Sequence, residues 1–407
     1  MSAAVATPLR YEDQALGAID LPGGTLCITR GVGSGLARSG DGRIWAIGDR
    51  GPNLKVKFAV KRYGCEALAR HAETDGAKVM PRLDIGPAIS ELVLDGDAVR
   101  IARTIPLRDR SGRPLSGLPP PGGLNGESEP ALTLAGETIE PDPAGVDSEG
   151  LAAAADGSFW VGDEYGPSVL RVAADGTVLA RWVPCGSESL FEGADYPIIG
   201  RLPPIAARRR LNRGFEALAL SPDERRLYLV FQSPLSHPDL DAHRKGRHVR
   251  LWRLDADSGE VEAQFFYPLD APETFQRDRA LGPFGREDIK VSELAAIGPD
   301  RLLVLERGSA TTKIYSVDLD PACALPAEHL DVGTRPTVEE LSAEGGVGLP
   351  VLAKRLVLNT DETPELDADL EGLVALDGRT LLVVNDNDFG TEGVPTRFWR
   401  VALPSEV

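Results

Sequence analysis

The chain has 407 residues with a hydrophobic fraction of 42%, enough for a sizeable core, and its 44 glycines and 32 prolines point to many turns rather than many long helices. With 62 acidic against 44 basic residues the formal charge is −18, which sets the chain against nucleic acid and anionic membrane as partners. No run of about 18 apolar residues occurs, and the cysteines Cys27, Cys65, Cys185 and Cys323 form no CxxC pair, which argues against a zinc knuckle or a redox centre.

The opening residues, MSAAVATPLRYEDQ, hold no basic stretch leading into an apolar one. That start predicts a cytoplasmic protein, although a chain trimmed of an export signal, periplasmic or secreted, would begin the same way. A strand is predicted over residues 15–21. Gly31-Val32-Gly33-Ser34-Gly35 has the outline of a phosphate loop, but no Lys-Ser or Lys-Thr follows and no helical pattern begins there, so it is set aside. From Ser34 onward a unit repeats. Its first copy runs from Ser34-Gly35-Leu36 through Asp41-Gly42 into Ile44-Trp45-Ala46-Ile47 and stops at Asp49-Arg50. The clearest runs from Glu149-Gly150-Leu151 through Asp156-Gly157 into Phe159-Trp160-Val161 and stops at Asp163-Glu164. Others start at Glu216-Ala217-Leu218, at Glu293-Leu294-Ala295, which ends at Glu306-Arg307, and at Glu371-Gly372-Leu373, which ends at Asn385-Asp386-Asn387-Asp388.

In each unit two apolar runs flank an Asp-Gly or Pro-Asp turn, which reads as a hairpin. Further strands are predicted over residues 169–172, 178–183, 248–254, 261–267, 314–319 and 398–403. Four strands per unit make a propeller blade. The predicted fold is therefore all-β: a single β-propeller domain over residues 1–407 with four-stranded antiparallel blades. Five repeats are legible, and the wide interval between positions 34 and 149 leaves room for another, so six blades are expected. The long irregular stretches 108–146, rich in Pro and Gly, and 186–212 read as loop insertions, and strand 15–21 would join the last blade to close the ring. A pair of stacked β-domains is the rival arrangement.

In a propeller the innermost strands line a central channel, so a residue recurring at their start faces one small space. Glu149, Glu216, Glu293 and Glu371 would converge there. Asp49, Asp163, Glu164, Glu306, Asp386 and Asp388, at the ends of the second strands, would line the same rim. Carboxylates brought so close need positive charge between them. Hard cations take roughly six to eight oxygen ligands, and oxygen donors abound here while histidine and cysteine do not, so calcium is the expected ion, with magnesium and manganese as alternatives. Taken one at a time, each Glu could equally serve by accepting backbone hydrogen bonds from a neighbouring blade. Arg50, Arg213 and Arg307, with Lys290 beside them, adjoin the acids, and arginine forks match phosphate or carboxylate oxygens. Metal with arginine in one concavity is equipment for ester hydrolysis at phosphorus, with Glu149 and Glu216 as candidate catalytic carboxylates and the three arginines as phosphate contacts. No G-x-S-x-G elbow occurs, and the five histidines, His71, His237, His243, His248 and His329, lack zincin spacing.

The segments Asp147-Ser-Glu-Gly-Leu-Ala, Phe159-Trp-Val-Gly-Asp-Glu-Tyr-Gly-Pro, Asn212-Arg-Gly-Phe-Glu-Ala-Leu-Ala-Leu-Ser-Pro-Asp and Asp369-Leu-Glu-Gly-Leu resemble the phytase-like family known for "esterase-like activity of phytase". The resemblance implies a β-propeller and hydrolysis of phosphate or carboxyl esters. The expected function is calcium-dependent hydrolysis of phosphate esters by a monomer acting on a small-molecule substrate. Two alternatives stand beside it: a carboxylesterase or lactonase on the same propeller, and a non-catalytic binding propeller stapled by calcium.

Overall fold

The computed structural model describes residues 4–122, 129–345 and 348–407. Five antiparallel sheets carry the fold, and each predicted hairpin supplies the two inner strands of one of them. The turns follow from their chemistry. In the second blade Asp156 accepts the Ser158 N–H at 2.9 Å, and Gly157 takes the left-handed corner at φ 84° that a side chain disfavours. The third and fourth blades fill that corner with Glu224 and Asp300, at φ 60° and 53°. Asp tolerates this conformation better than most residues, and at the Glu position the Glu224 side chain accepts the Ala155 N–H at 2.6 Å.

The inner strands Gly35–Arg38, Ser148–Ala153, Phe215–Leu220, Lys290–Gly298 and Leu370–Asp377 each pack on the next, and the fifth packs on the first. A ring so narrow brings neighbouring backbones close, which explains the glycine of the Glu-Gly-Leu repeat. A Cβ on Gly35 would stand 2.4 Å from the carbonyl oxygen of Glu149, and one on Gly150 would stand 2.7 Å from the Leu218 nitrogen. Apolar side chains between adjacent sheets form the core, with Trp45 edge-on to Phe159 between the first and second blades.

Three expectations are corrected. The ring is closed by Val5–Leu9, which pairs antiparallel with Phe398–Ala402, and not by residues 15–21. Strand Ala15–Leu21 instead forms a hairpin with Gly24–Thr29. A sixth blade is not found among the described residues. The interval between 34 and 149 holds the outer strands of the first blade, Ala88–Asp95 and Ala98–Pro106, and short strands at Leu54–Lys55, Lys78–Val79 and Ala131–Leu132. Leu54, Val79 and Leu132 share a small core with the hairpin 15–29 and the helix Val56–Tyr63. Finally, the second blade has a fifth strand, Ile198–Leu202, added in parallel from within the insertion 186–212. Part of the other insertion, residues 123–128, lies outside the described residues.

Candidate functional site

The start of the inner strand is bulged in four blades. Register slips between Ser148 and Leu151, between Phe215 and Ala217, between Val291 and Glu293, and between Leu370 and Gly372. A bulge leaves one residue unpaired and re-aims its side chain. The extra residues are Glu216, Ser292 and Glu371, with Glu149 in the corresponding place beside Gly150. All four side chains turn to one mouth of the channel. There Ser292 Oγ donates to Glu216 Oε1 at 3.1 Å and accepts from Arg307 Nε at 2.9 Å, and Arg307 in turn is in contact with Glu371.

Aligning the bulges corrects one expectation. Glu293 matches Gly150, Ala217 and Gly372 rather than the other glutamates, so its side chain enters the channel axis. It accepts the Leu36 N–H at 2.8 Å, from across the ring, and its own Leu294 N–H at 3.0 Å. Its oxygens serve backbone amides instead of the mouth. Beyond it the channel widens into a cavity of about 330 Å³ lined largely by Leu36, Ala37, Leu151, Leu218, Ala219 and Leu294. One mouth is thus charged, and the other mixes these aliphatic side chains with Arg38, Ser39, Ser221 and Glu224.

At the charged mouth, one oxygen from each of Glu149, Glu164 and Glu216 lies within 4.8 Å of the others. Their residues are 8%, 2% and 3% exposed. Glu164 Oε1 and Glu216 Oε2 are buried with no hydrogen-bond partner. Burial first, then the neighbouring Glu216 carboxylate, hold Glu149 and Glu164 well above the usual glutamate range. Three buried carboxylates with orphaned oxygens form a donor set suited to a hard divalent cation.

A second acidic group, Asp49, Asp147 and Glu149, also brings oxygens within 4.8 Å. Arg50 already serves it. The Arg50 guanidinium contacts Asp147, reaches Glu129 at 2.5 Å and Asn212 Oδ1 at 2.8 Å, and lies over the Tyr165 ring. Arg50 is therefore engaged by protein groups and does not present a free fork, contrary to its expected role as a phosphate contact. On the far side, Asp386 and Asp388 come from a turn fixed by Asn387, whose Oδ1 accepts the Phe389 N–H at 3.1 Å. Burial, then Asp388, raises Asp386; burial, then Asp369, raises Asp388; burial pushes Asp49 up to about 6 against the pull of Arg50.

Two expected ligands lie elsewhere. Glu306 alternates with Arg307 along its strand and so faces the opposite way. It takes the Tyr267 hydroxyl at 2.8 Å, the Asp270 N–H at 2.7 Å and Lys354 at 2.5 Å. Asp163 accepts from Arg181 at 2.6 Å, Ser168 at 2.7 Å and the Asp147 N–H at 2.9 Å, in a pair with 0% exposure on both sides. It is a buried strut. Asp163→Ala is expected to cost about 3–5 kcal/mol of folding stability, because Arg181 stays buried without its counter-charge. Urea unfolding measures this, and a loss below about 1 kcal/mol would show that the pair is not holding the blade.

The spacing pattern missed Asp147, Glu129, Asp369 and Ser292. Asp147 stands two residues before Glu149, a period-two signal on the same face, and Ser292 stands next to a glutamate that drew attention away from it.

A closed ring of five sheets, antiparallel apart from the added strand Ile198–Leu202, with charged side chains gathered at one end of its channel defines a β-propeller with a polar central site. The chain belongs to the phytase-like family, described as "Esterase-like activity of phytase", which it matches over residues 29–389. It is similar to an "Uncharacterized secreted protein" of Arthroderma benhamiae, 27% identical over 241 residues, covering 53% of this chain and 44% of that one. The match thus spans less than half of that relative's length. Among solved structures it is similar to the PQQ-bound aldose sugar dehydrogenase of Streptomyces coelicolor, at 14% identity, 98% of both chains and a TM-score of 0.34. Virginiamycin B lyase of Staphylococcus aureus gives 11% identity, 98% of this chain, 99% of that one and a TM-score of 0.35. These likenesses concern the fold alone, and the fold rests on the sheets themselves. Among the described residues no helix is long and apolar enough to cross a membrane.

Proposed function

We propose that the chain is a divalent-cation-dependent hydrolase of small phosphate esters, acting at the charged mouth. The observation that carries this reading is the pair of buried, unpartnered oxygens, Glu164 Oε1 and Glu216 Oε2, within reach of Glu149 and beside Arg213. Glu149, Glu164 and Glu216 would hold the cation, calcium by donor type, with magnesium or manganese as alternatives. A bound cation of this kind polarises a phosphoryl oxygen and lowers the pKa of coordinated water. The protein's own part is orientation. Ser292 fixes Glu216 through Oε1 and Arg307 through Nε, so both are set before a substrate arrives. Asp369, at 2.5 Å, and Glu371 in turn hold Arg307 in place.

An esterase of neutral acyl groups would need apolar lining beside the carboxylates. The aliphatic side chains that line the channel lie beyond Glu293, at its other end, and are mixed there with Arg38, Ser39, Ser221 and Glu224. This favours the phosphate reading over the carboxylesterase or lactonase one. The secreted relative supports a place outside the cytoplasm.

Chelator-stripped protein should release phosphate from p-nitrophenyl phosphate only when calcium, magnesium or manganese is restored. Cleavage of p-nitrophenyl acetate without phosphate release would overturn the reading in favour of an esterase. A calcium-dependent melting temperature without turnover on any ester would leave a binding propeller.

A further inference from the structure

Two of the cations at the charged mouth, Arg50 and Arg307, are neutralised by ion pairs with the protein. Arg50 has Glu129 and Asp147; Arg307 has Asp369 and Glu371. Arg213 instead donates to the neutral Gln232 Oε1 at 2.7 Å, and neither it nor Lys290 has an ion-pair partner among the described residues. The Lys290 side chain has no hydrogen-bond partner among them either.

Their placement follows from the fold. Lys290 opens the inner strand of the fourth blade, directly paired with Arg307, and Arg213 precedes the inner strand of the third, packed against it. Both residues of this basic wall are partly buried. The crowding is electrostatic as well as spatial: Arg307 first, then burial, then Arg213 push the Lys290 amine down to about 7. Across from this wall stand Glu164 and Glu216, whose charges favour the Arg213 guanidinium without touching it.

A partly buried basic wall and an opposing acidic wall that keeps two orphaned oxygens, Glu164 Oε1 and Glu216 Oε2, make no ion pair with each other and cannot satisfy one another at a distance. A cation on the carboxylates and an anion on the basic wall would satisfy both. The planar fork of Arg213 and the point charge of Lys290 suit a tetrahedral oxyanion. We propose that Arg213 and Lys290 form an oxyanion subsite for a phosphate group and that its occupancy is coupled to cation binding at Glu149, Glu164 and Glu216. The coupling rests on the cation site proposed above. The subsite itself does not. Each bound ion screens the field that the other opposes, and linkage requires the mutual effect to be equal in both directions.

Isothermal titration calorimetry on the full chain tests this, with inorganic phosphate as probe and concentrations kept below calcium phosphate precipitation. Phosphate should bind about tenfold or more tightly in saturating calcium than in chelator, and phosphate should tighten calcium by the same factor. Lys290→Gln should weaken phosphate binding about tenfold while calcium alone binds as well or better, since a cation near its ligands is gone. Lys290→Arg should retain phosphate affinity, which a merely structural role would not require. Calcium binding with no phosphate binding would overturn the subsite and leave the cation site standing. Phosphate affinity unchanged in both Lys290→Gln and Arg213→Gln would place the anion elsewhere and overturn it as well. Phosphate bound through Lys290 with no calcium binding would uphold the subsite and overturn the cation site, and with it the coupling.

Discussion

Glu216→Gln is expected to keep the fold, abolish the calcium-induced rise in melting temperature and lower kcat/KM by about 10³-fold or more. The amide preserves shape and can still pair with Ser292, which holds Oε1 at 3.1 Å. The charge is what goes. Glu216 is the largest charged contributor, after burial, to the upward shift of both Glu149 and Glu164. Removing it relieves repulsion, so the metal-stripped variant should be as stable as the parent or more so, by about 1 kcal/mol. With the cation bound the balance reverses, because one of three anionic ligands is missing. Stability without calcium and stability with calcium therefore move in opposite directions, which a general folding defect would not produce. Melting curves in chelator and in calcium, with turnover of p-nitrophenyl phosphate, measure both. A calcium shift that survives in Glu216→Gln would remove Glu216 from the cation site.

The hairpins were legible because their turn residues and apolar runs are local. Asp156-Gly157 fixes a turn whatever lies elsewhere in the chain. Blade number was not, since the first blade is split in sequence: its inner hairpin ends at Ile47 and its outer strands begin at Ala88, with the small core around Leu54 and Val79 between them. Ring closure by Val5–Leu9 was hidden for a related reason, because an edge strand that pairs with Phe398–Ala402 carries no local mark of its partner.

The site was legible wherever the side-chain period held. Glu149, Glu216 and Glu371 converge as expected. Glu293 breaks the pattern because the bulged place in its blade is taken by Ser292 and the glutamate falls one residue later, where the side chain turns from the mouth to the axis. Asp163 and Glu306 are acidic residues at strand ends like Glu164, yet their strands face them toward Arg181 and Lys354. Charge pattern placed these residues near the rim; only pleat and bulge decide which way each one points.

The same buried carboxylates predict how the metal-stripped protein responds to pH. Glu149 and Glu164 sit well above their ordinary 4.5 and Asp386 well above 3.8, each mainly through burial. The folded state then holds protons that the unfolded chain has already released. Their contribution to stability is complete below the unfolded pKa and is lost as pH rises through the folded value. Burial acts in the other sense on His237, His243, His248 and His329, whose depressed values make stability rise with pH up to about 6.5. Above that the histidines are neutral in both states. Lys290, pushed down to about 7, opposes the trend there as one group against at least five carboxylates, since burial raises Asp147, to about 8, and Glu293 as well. Between about pH 6.5 and pH 8.5 the chelated protein should therefore lose a few kcal/mol, each carboxyl still protonated in the fold contributing up to about 1.4 kcal/mol per pH unit. Calcium should cancel or invert that slope, since it binds the ionised ligands and binds better as they lose their protons. Urea unfolding across this window, with and without calcium, tests the argument. Parallel slopes in the two conditions would mean that the carboxylates setting the pH response are not the ones that hold the cation.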